Sequence, residues 1–191
     1  MVERMFHKGS TTGEKALTPG QVDKLLSVIT NLEELTLIKI AIAGGLRRKD
    51  VVNIRRKDVN SEEHSLTFFE HKKNRTYKVY LSEDVMNTIA MWIRMSNGSQ
   101  WLFPSHYQGI KRHLCSKTAY NYLNRLLKKA GLPQRPFHAL RATCIKLCQS
   151  KGWSAEQTAK HVGDTIRTIQ QHYSTPSAEE MKKIAEENSL L

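Results

Sequence analysis

Four groups of residues have types that could act together on one substrate. They are Arg47 after Gly44-Gly45-Leu46, the basic turn Lys72-Lys73-Asn74-Arg75, His138-Ala139-Leu140-Arg141, and Tyr173 within Gln170-Gln171-His172-Tyr173. Such a set suits phosphoryl transfer on a phosphodiester. That chemistry needs an in-line nucleophile, positive charge on the non-bridging oxygens and a proton for the leaving alkoxide. A tyrosine can attack and hold the phosphate covalently, conserving the bond energy for rejoining. Arginines present planar forks to phosphate oxygens and stay charged at any working pH. Lysine and histidine can act as acid and base. His138 and Arg141 stand three apart on one face of what reads as a first helical turn, where the helix dipole favours an anion. Arg47 precedes Arg141 by 94 residues, and Tyr173 follows it by 32. No carboxylate cluster suggests a Mg²⁺ site, which agrees with metal-independent chemistry and no cofactor.

Holding these residues calls for a mainly α fold with a small antiparallel β-hairpin. The 191 residues fit one domain with a real core. Residues 1–16 are polar and aperiodic and read as a tail or linker end, leaving 17–191 as the domain. Thr18-Pro19-Gly20-Gln21 combines a capping box with proline at the first helical position, predicting a helix over 19–30. Asn31 can cap a second, which Gly44-Gly45 stops. The β-prone runs 65–69 and 77–81 flank the basic turn as a hairpin. Ser82 can cap a helix to about 96, another runs 117–130 with Gly131 after it, and His138 opens the next. Ser154 and Gln157 form a capping box, Asp164 is expected to N-cap the helix bearing Tyr173, and Ser177 to Glu180 starts a last helix over 178–187.

Thirty Lys+Arg against eighteen Asp+Glu give a net charge of +12, which points to a polyanionic partner. Nucleic acid is favoured over a membrane, because no apolar run approaches the ~20 residues of a span. Lys73 and Arg75 at the hairpin, then Lys111, Arg112 and Lys117 in an acid-free segment, are candidate phosphate contacts. So is Arg125, on a helix interleaving Tyr120, Tyr122 and Asn124 with basic residues. Taken singly, each basic stretch could equally be a solvated surface. Cys115, Cys144 and Cys148 make an odd count without a secretory leader, which suits a reducing cytoplasm. Cys144 and Cys148 have helical i,i+4 spacing that could hold a metal, but with no second Cys/His pair they read first as small buried side chains.

In order and spacing these motifs resemble the catalytic set of the tyrosine recombinases, the phage-type integrases, over roughly Ala16 to Ser177. The resemblance implies that family's catalytic-domain fold and site-specific DNA recombination or integration through a covalent 3′-phosphotyrosyl intermediate. It makes Tyr173 the nucleophile, Arg47 and Arg141 the phosphate clamp, and His138 a base or phosphate ligand. Asp50, in Gly45-Leu46-Arg47-Arg48-Lys49-Asp50, would brace Arg47. Counting back from Val79-Tyr80-Leu81 puts the family's mobile hairpin lysine, a candidate general acid, at Lys72, with Lys73 the runner-up. One position departs from the pattern. Val162-Gly163-Asp164 stands where the family reads Leu-Gly-His or Leu-Gly-Trp, so Asp164 occupies the place of a donor that His161 or His172 would have to supply.

The family acts on double-stranded DNA, and its members pass a C-terminal segment to a neighbour. The 178–187 helix therefore implies a tetramer on DNA, with a monomer as an alternative when free. An N-terminal clamp domain is usual in the family, so the chain reads as the catalytic half of a longer protein or as a minimal member. A type IB topoisomerase and a non-catalytic DNA-binding regulator are the competing readings.

Overall fold

The computed structural model describes residues 12–96, 98–107, 112–173, 182, 185 and 186. Helix α1 (Pro19–Ser27) starts on the expected capping box, with the Thr18 hydroxyl accepting from the Gln21 amide and the Gln21 side chain returning to Thr18. It ends three residues short of the predicted boundary. Helix α2 (Leu32–Ala43) is capped by the Asn31 side chain, which accepts from the Glu34 amide. Its apolar residues surround the axis rather than forming one stripe, as befits a central helix. Leu37, Ile38, Ile40 and Ala41 are fully buried, and burial of each large side chain contributes about 1.5–3 kcal/mol. Around α2 pack α4 (Glu83–Met95), α5 (Ser116–Lys129) and α6 (His138–Ser150).

The sheet lies beside this bundle. Strands β2 (Ser65–Glu70) and β3 (Arg75–Tyr80) pair antiparallel from Ser65↔Tyr80 to Glu70↔Arg75, and residues 71–74 form the turn. A third strand, β1 (Val59–Asn60), adds at the β2 edge. Its two residues are too few to leave a periodicity in the sequence. Along β2, Leu66, Phe68 and Glu70 point inward together, because alternate side chains share a face.

Helices α3 (Arg48–Val52), α7 (Ala155–Val162) and α8 (Ile166–Tyr173) carry site residues or lead to them. Ser154 and Gln157 close the capping box of α7 as expected. Alpha-helices α6, α7 and α8 share a second, smaller core of Ala142, Cys144, Ile145, Cys148, Ala159, Val162 and Ile169. Part of the stretch expected as a tail, residues 12–16, is among the described residues. Thr12–Lys15 form a 3₁₀ turn packed on α6, and the Leu17 amide donates to Thr143 Oγ1 at 2.8 Å. The helix expected over 178–187 lies outside the described residues, except that 182, 185 and 186 are helical. Among the described residues no helix is long and apolar enough to cross a membrane.

The turn between α2 and α3 depends on glycine. Gly45 has φ +60°, and a Cβ there would lie 2.8 Å from Val162 Cγ1 and 3.2 Å from Cys144 Sγ. The backbone must come this close for α7 and α6 to pack beneath Arg47. Gly45→Ala should therefore combine left-handed strain with overpacking and destabilise by about 2 kcal/mol or more, measured by urea unfolding.

Candidate active site

Three separated segments bring the basic residues to one place. Arg47 is the N-cap residue of α3, reached through the Gly44-Gly45 turn. Arg141 lies one turn into α6, its side chain 3% exposed, with Nη1 donating to the Gly45 carbonyl at 2.7 Å. The first arginine's turn thus holds the second arginine. The hairpin turn between β2 and β3 supplies Lys72 and Lys73.

At the centre is a carboxylate. Asp164 Oδ2 lies 2.9 Å from Arg141 Nη2 and 3.8 Å from Arg47 Nη2, and Oδ1 lies 3.6 Å from Lys73 Nζ. Asp164 does not cap α8, contrary to the expectation from sequence. Thr165 Oγ1 accepts from the Thr168 amide at 3.1 Å and so caps the helix, while among the described residues the one backbone amide donating to the Asp164 carboxylate is that of the adjacent Thr165. Two adjacent residues could serve as the cap. The threonine takes that place because the aspartate one position earlier faces three cations.

A second carboxylate completes the arrangement. Glu70 is buried at the inward end of β2, accepts from Arg47 Nη1, and bonds Arg75 Nε at 2.8 Å. The resemblance assigns the bracing of Arg47 to Asp50, but the acids beside Arg47 are Glu70 and Asp164. Asp50 Oδ1 instead accepts from the His71 amide at 3.1 Å and meets His71 Nδ1 at 3.1 Å, fixing the hairpin turn to α3. Its Oδ2 is buried with no hydrogen-bond partner among the described residues. Glu70 was legible in principle. The alternation of β2 puts it inward with Leu66 and Phe68, and a carboxylate there must find cations.

The two hairpin lysines differ. Lys73 Nζ donates to the Gly163 carbonyl, which also accepts from Arg75 Nη2 at 3.2 Å, so this side chain is tied to the α7–α8 junction. Gly163 ends α7 with φ +68°, turning its carbonyl toward the hairpin. Lys72 is exposed at the turn, with no hydrogen-bond or ion-pair partner among the described residues, yet it is close enough to His138 to act on its charge. That exposure suits a residue that could reach a substrate atom.

His138 begins α6 beside an open groove of about 480 Å³ that Arg47, Tyr120 and Phe137 also line. Loss of hydration, then the positive charge of Arg141, Arg47 and Lys72, lowers its pKa from the ordinary histidine value. The ring is thereby kept neutral near pH 7 and able to take up a proton. Burial alone would raise the Glu70 pKa, but hydrogen bonds from Arg75 and Arg47 outweigh it and the net shift is downward. For Asp164 burial is again outweighed, by the Arg141 hydrogen bond and charge and by Lys73, and its pKa is lowered. Both acids are ionised at neutral pH. Against them stand Arg47, Arg141, Lys73 and Arg75, so the centre keeps a cationic surplus that a further anion could neutralise. Arg141 Nε is buried without a hydrogen-bond partner among the described residues.

Tyr173 lies at the last described position of α8, which begins just after Asp164. The side chains of Tyr173 and His172 lie outside the described residues, as does Lys111. His161 does not supply a donor to the arginine centre by any described contact. Its Nε2 meets the Ala43 carbonyl at 2.7 Å. Of the expected DNA contacts, Arg112 and Lys117 are exposed, whereas Arg75 lies over the Tyr77 ring at 4.6 Å and pairs with Glu70. Arg125 pairs with the buried Glu34 and lies 5.9 Å from the Tyr122 ring centroid. The basic face of α5 is thus partly turned to an internal acid that the helix pattern alone could not reveal.

Known proteins resemble this chain over most of its length. The sequence model of the phage integrase family matches residues 15–180. The tyrosine recombinase XerA of Pyrococcus furiosus is 24% identical over 180 residues, which cover 93% of this chain and 63% of that protein. The chain therefore spans less than two thirds of that relative's length. A crystal structure of XerA recombinase superposes with a TM-score of 0.79 at 16% identity, covering 92% of this chain and 65% of that one. The Tn1549 transposon integrase, solved in complex with a circular intermediate DNA, gives 0.74 at 17% identity over 98% of this chain and 68% of its own.

The carboxylate at the arginine centre has a measurable consequence. Asp164→Asn keeps the shape but removes the charge facing the buried Arg141, and should cost about 1–3 kcal/mol at pH 7. A simple cap would lose almost nothing, since asparagine caps as well. The lowered pKa values of Asp164 and Glu70 mean stability that is fully present above the ordinary carboxylate range of about 4. It is lost as pH falls through the lower folded values. Urea unfolding between pH 7 and pH 3 should show a shallower acid loss in the variant.

Proposed function

Since the chain belongs to the phage integrase family, the tyrosine recombinases, we propose that it breaks and rejoins double-stranded DNA in site-specific recombination, without a metal in the reaction. The observation that carries this reading is the convergence of Arg47 and Arg141, from α3 and α6, on one carboxylate oxygen of Asp164. Two guanidinium groups directed at one oxyanion form a site for a phosphate oxygen. Its electrostatic stabilisation is of the kind that commonly dominates such catalysis.

In this reading the scissile phosphate takes the place of the Asp164 carboxylate between the arginines, and Asp164 withdraws. The Tyr173 oxygen attacks phosphorus, the bond to the 5′-oxygen breaks, and a 3′-phosphotyrosyl bond remains. Lys72, carried on the exposed hairpin turn, gives its proton to the leaving 5′-oxygen. His138, kept neutral by its surroundings, accepts the tyrosine proton or binds the phosphate. The reverse attack by a 5′-hydroxyl of a second strand rejoins DNA and frees the tyrosine. The net charge of +12 supports DNA as the partner through counterion release. Assembly of four copies on DNA, through the segment 178–187, follows the family and belongs to the same proposal.

A nicked suicide duplex, which loses its 5′-hydroxyl fragment after cleavage, tests the reading. The chain should form a covalent adduct and Tyr173→Phe should form none, while duplex affinity stays close to the original. Adduct with the phenylalanine variant would remove Tyr173 from its role. A folded, DNA-binding chain that never forms adduct would support the regulator reading. Relaxation of any supercoiled duplex without strand exchange between defined sites would support a topoisomerase.

Arg47→Ala and Arg141→Ala should each lower single-turnover cleavage by about 10² or more at saturating protein. If Lys72 is the acid, Lys72→Ala should recover on a substrate whose 5′-bridging oxygen is sulfur, because a thiolate leaves without a proton. Recovery of Lys73→Ala instead would move the role to the neighbouring lysine.

A further inference from the structure

Beneath the arginine centre, α6 and α7 bring together three groups that the chemistry above does not use. Cys144 and Cys148, one helical turn apart on α6, meet His161 of α7, and one ligand atom from each lies within 4.8 Å of the others. Both cysteines are buried, and His161 is partly buried. The sequence shows the cysteine pair, but its third member lies 13 residues beyond Cys148 on another helix, and only the fold joins them.

We propose that Cys144, Cys148 and His161 form a structural site for a soft divalent cation of the zinc class. Two thiolates and an imidazole are a ligand set preferred by Zn²⁺, whereas Mg²⁺ and Ca²⁺ seek oxygen. The surroundings are apolar, with Ala142, Ile145, Ala159 and Val162 in the same cluster. A dication there must be neutralised. Two thiolates do this, leaving no net charge beside Arg141. His161 Nε2 also lies 2.7 Å from the Ala43 carbonyl. Donation from one ring nitrogen to a backbone carbonyl orients a ligating imidazole and leaves its other nitrogen for the ion. Three protein ligands leave a fourth position for water or another exchangeable group.

The place of this site gives it a purpose. Cys144 follows Arg141 by three residues, His161 precedes Asp164 by three, and Ala43 precedes the Gly44-Gly45 turn leading to Arg47. An ion would join the segments that set both arginines and the carboxylate between them. It would act as a staple under the site and take no part in the phosphoryl step.

The test uses the full chain, reduced and stripped of metal, titrated with Co²⁺ as a spectroscopic probe. A thiolate-to-cobalt charge-transfer band should grow to one equivalent per chain and disappear on adding Zn²⁺. Cys144→Ser and Cys148→Ser should abolish the band, Cys115→Ser should leave it, and His161→Gln should weaken Co²⁺ binding at least about tenfold. Circular dichroism checks that each variant is folded. No band in the wild type, or a band that survives Cys148→Ser, overturns the proposal. Should a serine variant unfold, alkylation of the wild type decides. Zn²⁺ should protect Cys144 and Cys148 while the exposed Cys115 still reacts, and equal reaction of the pair with and without Zn²⁺ overturns the site.

Discussion

The carboxylate of Asp164 between Arg47 and Arg141 is the interaction on which the arrangement of this chain depends. Arg141 is buried, and a buried guanidinium without an anion is costly, so the fold must supply one. It does so by ending α7 at Gly163 in the left-handed conformation, which aims the next residue into the centre. The Gly44-Gly45 turn brings Arg47 over the same point and lends its carbonyl to Arg141. The hairpin closes the far side with Lys73 on the Gly163 carbonyl and Glu70 beneath Arg47. Each contact joins segments far apart in sequence. Pulling one away would leave a charge of the others unpaired, so the centre should order as a unit.

The same geometry connects stability to chemistry. Two acids hold four cations in place, but the cations outnumber them, and the arginine forks stay directed at a shared oxygen position. On the proposed function, a phosphate entering there would exchange one oxyanion for another, and the clamp would need little rearrangement. Preorganisation of this kind is a main source of electrostatic catalysis. Aspartate at this place suits such an exchange. It compensates charge in the free chain and, as an anion, would repel the phosphate unless it moved aside. Lys72 differs from Lys73 in having no hydrogen-bond or ion-pair partner among the described residues, which fits the proposed travel to a leaving group.

Local features were legible in the sequence because they are decided by local chemistry. Thr18, Asn31 and Ser154 cap helices as their spacing indicates, and the hairpin lies between the two β-prone runs. The features missed are those where a distant partner decides. Asp164 satisfied the rule for a cap, yet Thr165 satisfied it too, and only the tertiary position of Arg141 selects between them. Arg125, read as a groove contact, also pairs with Glu34 on a different helix, a partner that its own helix pattern could not reveal. Glu70 is an intermediate case, since the β-prone run reads as ending at 69, and only with β2 extended to Glu70 does alternation turn it inward. The pairing of His161 with the two cysteines had no sequence signal beyond residue type.

The exchange of carboxylate for phosphate is most directly tested by ¹³C NMR titration of the Asp164 side-chain carboxyl, identified through Asp164→Asn, in the free chain and bound to its duplex. The free chain should show a pKa below the ordinary aspartate value of about 3.9. Binding of duplex should raise it, as phosphate takes the guanidinium groups and adds negative charge nearby. An ordinary value in the free chain, or one unchanged by duplex, would contradict the account.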